Sequence, residues 1–110
     1  MEEPVDLAAL AGGGPLWGMA SEDLNATLLA WPPGEGVAEQ VNAERDILIV
    51  VLAGAGTLRS GGSDHALAPQ RALLIPKGER WSIAAGPDGL RYLSIHRRRE
   101  GLQIEPLRAS

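Results

Sequence analysis

Residues 34–56 read GEGVAEQVNAERDILIVVLAGAG, and the rest of the architecture follows from them. Residues 47–52 are six consecutive aliphatic residues, mostly β-branched or leucine. So short an apolar run, bounded by polar residues and glycines, marks a buried strand rather than a helix. Ahead of it, residues 37–42 alternate, with Val37, Glu39 and Val41 on one side and Ala38, Gln40 and Asn42 on the other. Residues 42–45 supply a tight turn, a position that asparagine favours.

The same pattern extends in both directions. Strands are expected at residues 16–20 and 25–31 before the central run. After it they are expected at 57–60, 65–68, 72–75, 81–85 and 90–96, with a short one at 102–105. Gly54-Ala55-Gly56, the hairpin signal Gly61-Gly62-Ser63-Asp64 and the cluster Gly86-Pro87-Asp88-Gly89 separate them. Residues 5–10 form either one helical turn or an edge strand, within an N-terminal arm spanning 1–15. Eight to ten short strands and almost no helix point to an antiparallel sandwich or a small closed barrel.

The 110 residues make one domain, 1–110. There is no cysteine, which removes disulfides, thiolate metal sites and cysteine nucleophiles. A net charge of −4 argues against a nucleic-acid partner. No apolar run approaches the ~20 residues of a membrane span. Glu2 and Glu3 have the wrong sign for a signal peptide, so the expected location is cytoplasmic.

The spacing of two motifs resembles the cupin superfamily, small jelly-roll barrels with a pocket in the mouth. The first of these motifs, G-x5-H-x-H-x3-E followed by glycine, is matched by Gly34-x5-Gln40-x-Asn42-x3-Asp46 and then Gly54. The second, G-x5-P-x-G-x2-H-x3-N, is matched by Gln70-x5-Pro76-x-Gly78-x2-Trp81-x3-Ala85. The resemblance covers about residues 33–85 and implies an all-β, cupin-like antiparallel jelly-roll barrel. In the family, three histidines and a glutamate hold a divalent metal. Here those positions carry Gln40, Asn42, Asp46 and Trp81. Amide oxygens are weak donors to transition metals, and an indole nitrogen can only donate a hydrogen bond. The expectation is therefore a barrel with no metal and no cofactor.

The resemblance makes Gln40, Asn42 and Asp46 a polar pocket floor, unless Asn42 simply builds its turn. Trp81 is either an aromatic wall or a plug filling the core. Tyr92, Ser94 and His96 share one face of the last strand, opposite Leu93 and Ile95. Tyr92 and His96 complete the pocket-lining set if that face looks into the barrel mouth; otherwise His96 is a strand-end histidine in solvent. His65 is expected at the surface. Arg97-Arg98-Arg99, with Arg91 nearby, is a solvated strand end.

Three functions follow. The leading one is a metal-free barrel that binds a small polar molecule. The second is an enzyme, a lyase or isomerase or a metal enzyme with an altered ligand set, with Asp46 and His96 as acid and base. The third is a structural or interaction protein. A homodimer is expected, with Leu7, Leu10 and Trp17 of the arm region covering a neighbour.

Overall fold

The computed structural model describes residues 3–98. Seven strands follow a 3-10 turn at Leu7–Ala9. They are β1 (Gly14–Ala20), β2 (Leu24–Trp31), β3 (Gly36–Val41), β4 (Ile47–Ser60), β5 (Ser63–Leu67), β6 (Ala72–Ile75) and β7 (Arg80–Arg97). Every pairing is antiparallel. No helix among the described residues is long and apolar enough to cross a membrane.

The strands are fewer and longer than the sequence suggests. Its pattern predicts a break in the central strand at Gly54-Ala55-Gly56 and the end of another strand at 86–89. Instead β4 runs for 14 residues and β7 for 18, each through its glycines. The two pair along almost their whole length, with register shifts at Val51/Ala53 and Gly54/Gly56. Glycine here permits a bend without ending the ladder. A methyl added at Gly54, whose φ is +77°, would run into the carbonyl oxygen of Gly89. The expected strand at 102–105 lies outside the described residues.

Bending divides the protein into two layers. The first half of β4 and the last half of β7 join β1, β2 and β6 in one sheet, ordered β1-β2-β7-β4-β6. The other halves join β3 and β5 in the second, ordered β3-β7-β4-β5. Between them lie Ile47, Ile49, Val51, Leu58, Leu67, Ile75, Trp81, Ile83, Leu90 and Tyr92, all buried. Burying each such side chain contributes about 1.5–3 kcal/mol.

The outer faces differ. On the second sheet Thr57, Arg59, Asp64, Arg80 and Ser82 face outward, opposite in phase to buried Leu58, Leu67, Trp81 and Ile83. On the first sheet one outward row is Met19, Ala26, Ile95, Leu48 and Leu74, read across β1, β2, β7, β4 and β6. The N-terminal arm lies against this face. The Arg91 guanidinium donates 2.7 and 2.6 Å hydrogen bonds to the carbonyls of Leu10 and Leu7. Arg91 thus belongs to the arm's anchorage rather than to a charged strand end.

Candidate functional site

Two of the loops that cross from sheet to sheet meet at one end of the sandwich. Residues 42–46 carry the chain from β3 to β4, and residues 76–79 carry it from β6 to β7. The Gly78 amide donates to the Asn42 carbonyl at 2.8 Å, joining the loops. Asn42 Oδ1 accepts from the amides of Glu44 and Arg45, each at 3.2 Å. That is an Asx turn, the local reading of Asn42. Asp46 is exposed and its Oδ1 accepts a 2.8 Å bond from the Lys77 amide. Asn42 and Asp46 thereby hold the two loops in register at this end.

Gln40 reaches the site through a bulge. β3 pairs Val37 with Ile83 and Gln40 with Trp81, shifting register between them. Simple alternation would put Val37 and Gln40 on opposite faces. The extra residue returns both to the face shared with Ile83 and Trp81. Gln40 is exposed at the rim and Trp81 is buried, 7% accessible. The Trp81 Nε1–H is buried and has no hydrogen-bond partner among the described residues, and the same holds for the Arg45 Nε–H. Beside them Ser60 Oγ donates to Glu79 Oε1 at 3.0 Å.

The opposing sheet supplies a polar ladder. Asn25 pairs with His96, and Thr27 with Ser94, on the face that carries Ile49 and Tyr92. All four polar residues are half-buried. β2 and β3 flank the two halves of β7 on the same edge, so this ladder and Gln40 lie on one side of the sandwich. His96 Nδ1 lies 2.9 Å from the Arg97 carbonyl. A carbonyl only accepts, so Nδ1 carries the proton and Nε2 of the neutral ring is an acceptor. Tyr92 lies deeper, 1% accessible, and its hydroxyl accepts a 3.0 Å bond from Trp31 Nε1. Burial raises its pKa above the usual tyrosine value, while the Trp31 bond opposes that shift.

Asp46 and His96 do not converge. Extending the Leu48–Ile95 register by two residues sets Asp46 beside Arg97 and His96 beside Ile47. Ile47 faces the core, so Asp46 falls on the outer side, in a shallow depression with Glu44, Lys77 and Arg97. A metal of the kind the cupin motif implies finds no fit. The Asn42 amide oxygen is engaged in its turn, Asp46 holds Lys77, and Trp81 offers only a donor. Among the described residues no three His, Cys, Asp or Glu side chains gather as ligands.

Asn25 and Thr27 are the site residues that sequence reasoning missed. Their signal was the alternation in LNATLLAW, where Asn25, Thr27 and Leu29 share a face, but only pairing with β7 shows which face that is. His65, expected at the surface, is half-buried opposite Leu58.

Residues 44–103 match the AraC-like ligand binding domain family. Solved structures share the fold at low identity. A protein from Thermus thermophilus superposes with a TM-score of 0.77 at 24% identity, covering 89% of this chain and 99% of that one. A cupin superfamily protein from Desulfitobacterium hafniense gives 0.72 at 24% identity, covering 90% and 94%. A cupin protein from Bacteroides fragilis gives 0.71 at 18% identity, covering 91% and 88%. No curated protein matches. The fold is the cupin jelly-roll barrel that the motif spacing implies.

Proposed function

The chain belongs to the AraC-like ligand-binding domain family, and on that premise we propose that it binds a small polar molecule, without metal, at the end of the sandwich where the 42–46 and 76–79 loops meet. The observation that carries this reading is the Trp81 indole N–H, buried without a partner at the same end as the polar ladder. Leaving a buried donor unmade costs about 1–3 kcal/mol, which an acceptor on a ligand recovers. Apolar walls with a few placed polar groups are the usual make-up of such sites.

In this reading Trp81 is both wall and donor. Gln40 reaches the ligand from the rim. Ser94 and Thr27 supply hydroxyls, and His96 offers Nε2 as an acceptor. Tyr92 closes the floor, while Asn42 and Asp46 support the loops around the opening.

The test is amide and indole NMR of the 15N-labelled protein against a panel of polyols, hydroxycarboxylates and small amides. The chain has three tryptophans, so three indole signals report separately. A binder should move the Trp81 signal and leave Trp17 unmoved, and Trp81→Phe should abolish its affinity while the fold persists. If no compound moves Trp81 or raises the melting temperature, the reading is wrong.

A further inference from the structure

We infer that the ligand is a small hydroxycarboxylate, its carboxylate received by the Nε–H of Arg45 and the Nε1–H of Trp81 and its hydroxyl by His96, an assignment that rests on the binding site proposed above. Arg45 Nε and Trp81 Nε1 are the buried side-chain nitrogens without a hydrogen-bond partner among the described residues. Arg45 lies in the 42–46 loop and Trp81 just beyond the 76–79 loop, and the Gly78–Asn42 bond joins those loops. Both groups only donate, so an acceptor must satisfy them, and the guanidinium keeps its charge at any ordinary pH.

Arg45 is turned inward. Its neighbours Glu44 and Asp46 line the outer depression with Lys77 and Arg97, and Arg45 does not. Ile47, two residues on, lies in the core. Alternation puts Arg45 in phase with Ile47. Its amide donates to Asn42 Oδ1 at 3.2 Å, so the Asx turn sets where the side chain leaves the backbone. No carboxylate among the described residues lies within ion-pair distance of its guanidinium; Arg59 and Asp64 form such a pair on the outer face.

The carboxylates of this end face elsewhere. Asp46 accepts the Lys77 amide on the outer side. Glu39 shares the β3 bulge opposite Ser82, which faces outward. Glu79 is half-buried, but its Oε1 accepts from Ser60 Oγ and lies over Gly61 at the β4–β5 hairpin. That is the flank of Trp81 opposite Gln40.

The chemistry of the donors selects the ligand. A neutral acceptor would satisfy both N–H groups and leave the charge of a half-buried guanidinium uncompensated. A carboxylate supplies two acceptor oxygens and the missing charge together. A phosphate, with three oxygens and nearly twice the charge, calls for more than one cation. His96 sits beside Ile47, the inward neighbour of Arg45. Its Nε2 is an acceptor, which repels a second anionic group and receives a hydroxyl.

The test is titration of the full 15N-labelled chain, at fixed ionic strength, with lactate, 3-hydroxybutyrate and gluconate. Each is set against a neutral counterpart: lactamide, 3-hydroxybutyramide and sorbitol. Propionate and butyrate are the counterparts that lack the hydroxyl. At least one hydroxycarboxylate should move the Trp81 indole and Arg45 Nε–H signals together. Its neutral and deoxy counterparts should bind about ten- to a hundredfold more weakly. Arg45→Gln should lose the same factor for the acid and none for the neutral compound, with no fall in the melting temperature of the free protein. Arg45→Lys, which keeps the charge without the Nε–H, should recover part of the affinity. If lactamide, 3-hydroxybutyramide or sorbitol moves Trp81 as readily as its acid, the binding site stands and the hydroxycarboxylate assignment is overturned. The assignment also falls if Arg45→Gln leaves acid affinity unchanged, or if propionate or butyrate matches its hydroxy acid. If no acid moves Trp81 the assignment fails, and silence from the neutral compounds as well removes the site with it.

Discussion

The indole Nε1 of Trp31 donates a 3.0 Å hydrogen bond to the hydroxyl of Tyr92, joining β2 to β7 inside the sandwich. Tyr92 is 1% accessible and is the chain's only tyrosine. Removing its hydroxyl leaves the Trp31 N–H without that acceptor. Tyr92→Phe should therefore cost about 1 kcal/mol, read as a lower denaturant midpoint with unchanged slope.

The same burial sets an alkaline limit. Tyr92 has its pKa raised in the folded state, chiefly by burial. Above the unfolded value of about 10 the unfolded chain sheds a proton that the native protein keeps. Stability should therefore be intact below that pH and fall as pH climbs through the folded pKa. Denaturation across this range should show the decline in the wild type and less of it in Tyr92→Phe. Tyrosinate absorbance of the native protein reports the group directly.

Gly54 is the position where substitution should cost most for its size. Its φ of +77° disfavours any side chain, and a methyl meets the Gly89 carbonyl. The backbone conformation alone costs about 1–3 kcal/mol, with the clash added. Gly54→Ala should lower the melting temperature sharply. Gly62→Ala, also at positive φ but with open space around it, should cost less.

Arg91→Ala should release the arm. It removes two charge-assisted bonds, to Leu7 and Leu10. The expected loss is about 1–3 kcal/mol, with faster amide exchange confined mainly to residues 5–10 and the face beneath them. Arg91→Lys, which cannot span both carbonyls as a fork does, should recover only part of the protection.

Asp46→Ala tests the loops. Its carboxylate accepts the Lys77 amide, tying 42–46 to 76–79. A carboxylate–amide bond at an exposed site should contribute about 1 kcal/mol. Exchange should rise at Lys77 and Gly78, while the Trp31–Tyr92 end of the sandwich stays protected.

Local pattern alone makes this chain an all-β protein with its core strand at residues 47–52. Period-2 alternation and glycine-rich turns are visible without a partner strand. The spacing from Gly34 to Asp46 and from Gln70 to Ala85 also named the jelly roll. It placed Gln40 near Trp81, which the structure makes direct cross-strand partners. What local pattern could not decide was whether glycine ends a strand or bends it. Gly54-Ala55-Gly56 and Gly86–Gly89 look like breaks until β4 and β7 are seen paired across them. Nor could it assign faces. Asn25 and Thr27 join Ser94 and His96 only through the β2–β7 register, and Asp46 parts from His96 only through the β4–β7 register. A one-residue shift in pairing turns every side chain to the other face, and that shift is fixed by bulges and long-range pairing, which reside in the tertiary structure.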